Sequence, residues 1–229
     1  MRPPITSNVK IHFILEHAGK LREKLKEIKN VDLGVVDGGI KVVTAGADGS
    51  QGEVSFGHNY VVLRTLFHVF VIFQHAHSEP DSAFVNATKI RSFHLAEFAV
   101  SDFCNFFGYS LLHIVGLKVD CSTSSGQFKI DNSSNIFDLK ELKHQVNSLN
   151  ENNVCAVKAS LNPRYPNRII CRFEGLGTLL FFSNAKFNIL GPKCQLQIDR
   201  IYCLMMPIIH KVNASMNLHF AAQQTLKYV

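Results

Sequence analysis

The chain has 229 residues, 46% hydrophobic and 18% charged, enough for one large domain or two half-size units with a real core. Its 24 Lys+Arg against 18 Asp+Glu give a formal net charge of +6, a mild basicity that permits a nucleic-acid partner without requiring one. The six cysteines are widely spaced, with no C-x-x-C pair and no zinc-finger spacing, and they read as reduced, buried thiols of an intracellular protein.

The N-terminus lacks the long apolar run and small-residue cleavage site of a signal peptide. Leu66 to Phe73 is too short, and too broken by His68, to span a membrane. The sequons at Asn86, Asn132 and Asn213 read as chance.

In chain order, Asn8 to Leu15 alternates and predicts a strand. His17 to Lys29 predicts a helix with Leu21, Leu25 and Ile28 on one face and a basic opposite face, read as solvated. Residues 31 to 58 are Gly-rich. No G-x-x-x-x-G-K-[ST] or helix-opening G-x-G-x-x-G occurs there, so hairpins are expected rather than a phosphate loop. Asn59 to Arg64 and Leu66 to Gln74 read as strands, residues 75 to 82 as a polar insert, and Phe84 to Thr88 as a further strand. His75, His77 and His94 lack a fourth ligand and are not taken as a zinc site. Arg91 to Phe107 predicts a helix whose stripe is Phe93, Ala96, Val100, Phe103 and Phe107, with Gly108 placed to end it.

The pattern then restarts. Leu117 to Ile130 reads as strand material around a Ser-rich turn, Phe137 to Leu149 as a helix, and Val154 to Lys158 as a strand. Tyr165 to Gly191 reads as three short strands joined by turns at Gly175-Leu-Gly177 and Ser183-Asn-Ala185. Cys194 to Lys211 predicts a long helix striped by Ile198, Ile201, Met205 and Ile208, with Pro207 kinking it or marking its last turn. Asn213 to Val229 carries little signal.

Strand, helix, strands, long helix thus occurs twice. Phe56 and Phe73 are 17 positions apart, as are Tyr165 and Phe182, and the two pairs are offset by 109. Two copies of about 100 residues are expected, residues 1–108 and 109–229, as one pseudo-twofold unit.

The second copy offers Tyr165-Pro166, then Thr178-Leu-Leu-Phe-Phe-Ser-Asn-Ala-Lys-Phe-Asn-Ile-Leu-Gly-Pro-Lys193. The first offers Phe56-Gly57, Val71-Ile-Phe73 and Val85-Asn-Ala-Thr-Lys-Ile-Arg-Ser92. On these residues the chain resembles the TATA-box-binding protein (TBP) family, whose repeat reads aromatic-(Pro), an apolar strand, then Thr-x-Leu-Ile-Phe-Ser-x-Gly-Lys-x-x-x-Thr-Gly-x-Lys-Ser before a long helix. The resemblance covers roughly residues 8 to 211. The divergent form looks more like the TATA-binding-like proteins of large DNA viruses than a cellular factor.

The resemblance implies an α+β saddle: a curved antiparallel sheet with the helices on its convex face and two pseudo-symmetric repeats. A concave face left open with apolar and aromatic residues needs a partner. In that family two aromatic pairs wedge into base steps from the minor groove and kink the duplex. Phe56 with Phe73, and Tyr165 with Phe182, fall on those positions, Tyr165 being a departure because its hydroxyl prefers a polar partner. Thr88 matches the groove-facing Thr, and Leu190 stands at its second-copy equivalent. Lys89 stands where the family has Gly, and Gly191 keeps it. Asn8 falls on the central Asn that bonds to base edges; its mate is either His113 or a Ser of Ser122-Thr-Ser-Ser125. Arg168, Lys186 and Lys193 are candidates for phosphate contact.

The resemblance therefore implies a factor that binds A·T-rich double-stranded promoter DNA and nucleates transcription initiation. It would act in the nucleus, a host nucleus if viral, or otherwise at a cytoplasmic site of transcription. Initiation factors or RNA polymerase would meet the convex helices. The alternative is a saddle-shaped interaction module of a transcription complex without direct DNA binding. The half-fold also accompanies DNA glycosylase domains, but no helix-hairpin-helix with catalytic Lys and Asp, no Ser/His/Asp set, no paired carboxylates and no metal cluster occurs. No enzymatic activity, cofactor or membrane partner is expected.

Overall fold

A computed structural model describes residues 4–30, 41–73, 81–128, 136–151 and 154–226. The fold is α+β, its strands paired antiparallel. The first run of elements is β1 (Ile5–Leu15), α1 (Gly19–Asn30), β2 (Lys41–Ala45), β3 (Gln51–Phe56), β4 (Val61–Arg64), β5 (Val69–Phe73), β6 (Ala83–Ile90) and α2 (Ala96–Phe107). The second is β7 (Ile114–Gln127), α3 (Leu139–Glu151), β8 (Val157–Asn162), β9 (Tyr165–Phe173), β10 (Gly177–Phe182), β11 (Lys186–Leu190) and α4 (Gln195–Leu226). Two compact units result: a first unit of residues 8–120, and a second of residues 121–229 with 1–7.

In the first unit the strand order is β2-β3-β4-β5-β6-β1-β7. Period-2 alternation sends Val54, Val61, Leu63, Phe70, Ile72, Val85, Ile11 and Phe13 to one face, where all are essentially fully buried. Leu21, Leu25 and Ile28 of α1, and Ala99, Val100, Phe103, Phe106 and Phe107 of α2, join the same cluster. Phe103 sits at its centre, 5.3 Å from both Phe13 and Phe70 and 5.0 Å from Phe107. The Gly-rich segment serves this packing. A Cβ on Gly52 would stand 2.7 Å from the Phe106 ring, so glycine lets β3 close onto α2. Gly108 ends α2 in the left-handed region at φ 73°, as its position predicts.

In the second unit the order is β1-β7-β11-β10-β9-β8. Ala159, Ile169, Cys171, Leu179, Phe181, Phe187 and Ile189 form the buried face. Leu139, Leu142 and Val146 of α3 and Ile198, Ile201, Met205 and Val212 of α4 are buried as well, and both helices contact the strands and each other. Phe181 meets Phe128 at 5.9 Å and Phe137 at 5.0 Å, and Phe128 stacks on Tyr202 at 5.8 Å. The Asp138 carboxylate accepts from the N–H groups of Lys140 (2.9 Å) and Glu141 (3.0 Å), capping α3. From α3, Asn150 bonds both backbone groups of Val157, and the Asn147 side chain accepts from the Ala159 N–H at 2.9 Å. These amides satisfy the outer edge of β8.

Five expectations about the elements and cysteines are corrected. The strand expected from Leu66 begins only at Val69, with Leu66 and Phe67 in the turn after β4. The Ser-rich segment is not a turn: β7 is one continuous strand of 14 residues. Ser122 Oγ donates to the Pro192 carbonyl at 2.8 Å and Ser124 Oγ bonds Thr6 Oγ1 at 3.1 Å, so tertiary partners replace the local bonds that favour turns. The strand expected at 154–158 begins at Val157, where the α3 asparagines engage it. Pro207 does not end its helix, which runs on to Leu226. The cysteines are free, but only Cys104 and Cys171 are buried; Cys194 and Cys203 are exposed. The insert at 75–82 lies almost wholly outside the described residues, as do His75 and His77. Among the described residues no helix is long and apolar enough to cross a membrane.

Burial pushes the Cys104 thiol up to about 11 and the Cys171 thiol up to about 12. A thiol reagent at neutral pH should therefore label Cys194 and Cys203 in the native protein, and Cys104 and Cys171 only after denaturation. Mass spectrometry reads this directly, and Cys171 reacting as fast as Cys203 would contradict the burial. Phe103→Ala should cost about 3–5 kcal/mol in urea unfolding, the usual loss for a large core aromatic.

Candidate nucleic-acid interface

In each unit the strands have a second face that no described helix of that unit covers. In the second unit, cross-strand register defines its rows. Lys158, Arg172, Thr178, Leu190 and Thr123 are successive partners, as are Ser160, Ile170, Leu180, Asn188 and Ser125. Arg168 pairs with Phe182, and Lys186 with Gln127. These side chains are exposed or half-buried, whereas the alternate residues Val157, Ala159, Ile169, Cys171, Phe173, Leu179, Phe181, Phe187 and Ile189 are buried. Lys158, Arg168, Arg172 and Lys186 supply positive charge, and β8 to β11 with residues 121–127 of β7 contain no Asp or Glu. The acids described in this unit, such as Asp138, Glu141, Glu174 and Asp199, lie in helices and turns.

At one corner of this face Arg168 stands beside both Phe182, its register partner, and the Tyr165 ring. The Arg168 guanidinium lies 4.2 Å from the centroid of that ring. Arg168 Nε is buried and has no hydrogen-bond partner among the described residues. Tyr165 is 50% exposed, its ring occupied by a cation on one side.

The first unit's rows are Val43, Glu53, Arg64, Val69 and Thr88; Ser55, Val62, Val71, Asn86 and His12; and Phe73, Phe84 and Ile14. This face differs in carrying carboxylates, each held by cations. Glu53 meets Arg64 at 3.2 Å, and Asp120 meets Lys10 at 3.3 Å and also His12.

The expected pairing of Phe56 with Phe73 is not formed. Phe56 pairs with Val61, and Val61 with Ile72, both fully buried, so Phe56 packs onto the core and Phe73 lies on the opposite face. Parity in the strands decides this, and the repeated spacing of 17 could not carry it. The rings beside Phe73 are Tyr60 at 6.3 Å and Phe84 at 6.1 Å. Phe73 ends β5 as Phe182 ends β10.

Of the remaining expected residues, Thr88 is half-buried and donates to the Val69 carbonyl at 3.4 Å, and Leu190 is half-buried on the uncovered face. Asn8 is exposed, and its side-chain oxygen accepts from the Lys89 N–H at 3.1 Å. Lys89 holds φ 66°, the left-handed conformation that Gly191 adopts at φ 92°. Lys186 and Lys193 are exposed. His113 lies in a short 3-10 turn. Ser122 and Ser124 are buried, which leaves Ser125 as the serine of β7's cluster on the uncovered face.

The sequence reading missed Tyr60, Asn86, Asn188, Lys158 and Arg172. Asn86 and Asn188 occupy matching middle positions of β6 and β11, in Phe84-Val-Asn-Ala-Thr88 and Lys186-Phe-Asn-Ile-Leu190, and that shared alternation was a usable signal. Asn86 Oδ1 is buried without a hydrogen-bond partner among the described residues, a cost of about 1–3 kcal/mol. Among the described residues no group of three or more His, Cys, Asp and Glu gathers as a metal site.

No protein-family model matches this chain, and no curated protein matches it by sequence. A structural match does exist. Methanococcus jannaschii TBP superimposes with a TM-score of 0.56 at 14% identity, over 92% of this chain and 99% of that one. The fold is TBP-like.

Lys89 pays the steric cost that a left-handed conformation imposes on a side chain. Lys89→Gly should raise stability by about 0.5–1 kcal/mol in urea unfolding. A loss of stability would show that the Lys89 side chain makes compensating contacts.

Proposed function

We propose that this chain is a TBP-like DNA-binding transcription factor that lays the uncovered faces of its sheets on the minor groove of A·T-rich duplex DNA. In this reading the two units are repeats of one saddle, and bound initiation factors or polymerase occupy the helical side. The observation that carries the reading is the second unit's uncovered face, where four cations, apolar Ile170, Leu180, Phe182 and Leu190, and the polar groups of Asn188, Thr178 and Ser160 stand without an acid. Such a face suits a polyanion whose groove floor presents acceptors. The cations meet phosphate, the amide and hydroxyls meet the adenine N3 and thymine O2 acceptors, and apolar contact disfavours the exocyclic amine of guanine.

Phe182, with Arg168 beside it and Tyr165 beside Arg168, and Phe73, with Tyr60 beside it, are the side chains suited to enter base steps. Unstacking a step costs a few kcal/mol, which an apolar ring offsets by restoring a stacked surface. Asn8, Thr88, Leu190, Asn188 and Asn86 would line the groove, and Arg168 and Lys186 the phosphates. Transcription in a nucleus, or at a cytoplasmic transcription site, is the setting this function requires.

A second reading, an interaction module of a transcription complex that has lost direct DNA binding, is favoured by the Glu53 and Asp120 carboxylates on the first unit's face. Both repel phosphate unless their cation partners stay in place.

Gel shifts on an A·T-rich and a G·C-rich duplex at two salt concentrations separate the two. The DNA reading expects preferential A·T binding that weakens with salt, a loss of about tenfold or more in Phe73→Ala/Phe182→Ala, and a salt slope reduced by about one for Lys186→Ala. Phe56→Ala should lower stability and leave the affinity of the folded fraction unchanged. No binding by the wild type at low salt would overturn the proposal in favour of the second reading. Equal binding by the double mutant would remove the wedge assignment.

A further inference from the structure

A second surface of the first unit is built for contact. The turn between β4 and β5 places Leu66 and Phe67 at its tip, 84% and 54% exposed. Tight turns ordinarily carry Gly, Asn, Asp or Pro at such positions, so two large apolar side chains there are anomalous. The turn is also unusually well fixed. The Thr65 N–H donates to the His68 carbonyl at 3.0 Å, and Thr65 Oγ1 accepts from the His68 N–H at 3.0 Å. Asp102 of α2 holds Thr65 Oγ1 at 2.8 Å and His68 Nδ1 at 2.7 Å.

His68 is only 3% exposed, and its ring lies 6.3 Å from the Phe67 ring. Phe98 lies edge-on to Phe67 at 5.9 Å and is 49% exposed, and Leu95 is 41% exposed. The four residues border a cleft of about 440 Å³ whose charged rim is Lys89 and Arg91, with no acid among its lining. Neither cation belongs to an ion pair among the described residues.

We propose that this cleft is a docking site for an acidic, apolar segment of a partner protein, with Leu or Phe anchors seated on Leu66, Phe67, Leu95 and Phe98, and Asp or Glu side chains meeting Lys89 and Arg91. A rigid turn that presents apolar side chains lowers the ordering cost of binding, as an interface hot spot requires. The cationic rim, with no acid among the lining residues and Asp102 engaged by Thr65 and His68, selects the sign of the partner's charge. This inference is independent of DNA binding.

The test is fluorescence anisotropy in the absence of DNA, with the full chain. One probe is a labelled synthetic peptide carrying Leu and Phe at helical spacing with Asp and Glu between them, and the control is its counterpart with Lys for every acid. The acidic peptide should bind and the basic one should not. Leu66→Ser/Phe67→Ser should weaken binding about tenfold or more, and Arg91→Glu should weaken it and flatten its salt dependence. Thermal unfolding of the variants shows whether they are folded, and Arg91→Glu alone decides if the double variant is not. Failure of the acidic peptide to bind, equal binding by the basic peptide, or undiminished binding by the folded variants would overturn the proposal. So would a dimer in light scattering that Leu66→Ser/Phe67→Ser dissolves, since the patch would then be covered by a second copy of this chain.

Discussion

Strand alternation under one-sided helical cover is the constraint on which the rest depends. In each unit two helices bury one set of alternate side chains, and the other set is left without cover from that unit. Every functional placement follows from which set a residue joins. Phe181, Phe187 and Ile189 build a core, while Phe182, Asn188 and Leu190, one position away, become surface. A shift of one residue in register would exchange the two. The density of buried aromatics around Phe103 and Phe181 makes such a slip costly, so the packing that stabilises each unit also fixes what its outer face displays.

Charge follows the same division. In the second unit the strands hold cations and no acids, and the described acids stand in helices and turns. A face of this kind is poorly suited to plain hydration, because Ile170, Leu180 and Phe182 interrupt it, and poorly suited to an apolar protein partner, because Arg168, Arg172 and Lys158 would have to be desolvated. A partner that is itself charged and partly apolar, with stacked rings behind phosphates, satisfies both demands. The first unit tempers its positive charge with Glu53 and Asp120, so the two faces are not chemically equal. Its turn at Leu66 and Phe67 adds an apolar feature with no counterpart at Glu174-Gly-Leu176 in the second unit.

Much of the fold was legible in the sequence because long elements carry redundant signals. Ala96, Val100, Phe103 and Phe107, then Leu139, Leu142 and Val146, and Ile198, Ile201, Met205 and Ile208 are buried as their spacing predicts, Phe93 and Leu149 from the same stripes are half-buried, and Gly108 marks its helix end. The stretch Tyr165 to Gly191 resolves into three strands at the turns its glycines and Ser183-Asn-Ala185 mark. The serine cluster of β7 was misread because its hydroxyl partners, Pro192 and Thr6, are distant in sequence. The site was less legible. Tyr165, Arg168 and Phe182 could be gathered from spacing within one hairpin. Phe56 could not be placed, because its face depends on the register of β3 against β4 and β5, which spacing alone does not encode. Asn86 and Asn188 were legible only by comparing the alternation of β6 with that of β11, because either strand alone does not say which face its asparagine joins.

The central claim is that the uncovered strand faces, and not the helices, meet DNA. Lysine acetylation mapped by mass spectrometry, with and without an A·T-rich duplex, tests it most directly. Lys158 and Lys186 lie on the uncovered face, and Lys20 and Lys140 on helices. The account predicts that duplex protects Lys158 and Lys186 and leaves Lys20 and Lys140 as reactive as before. Protection of Lys20 or Lys140 with Lys158 and Lys186 unchanged would contradict it.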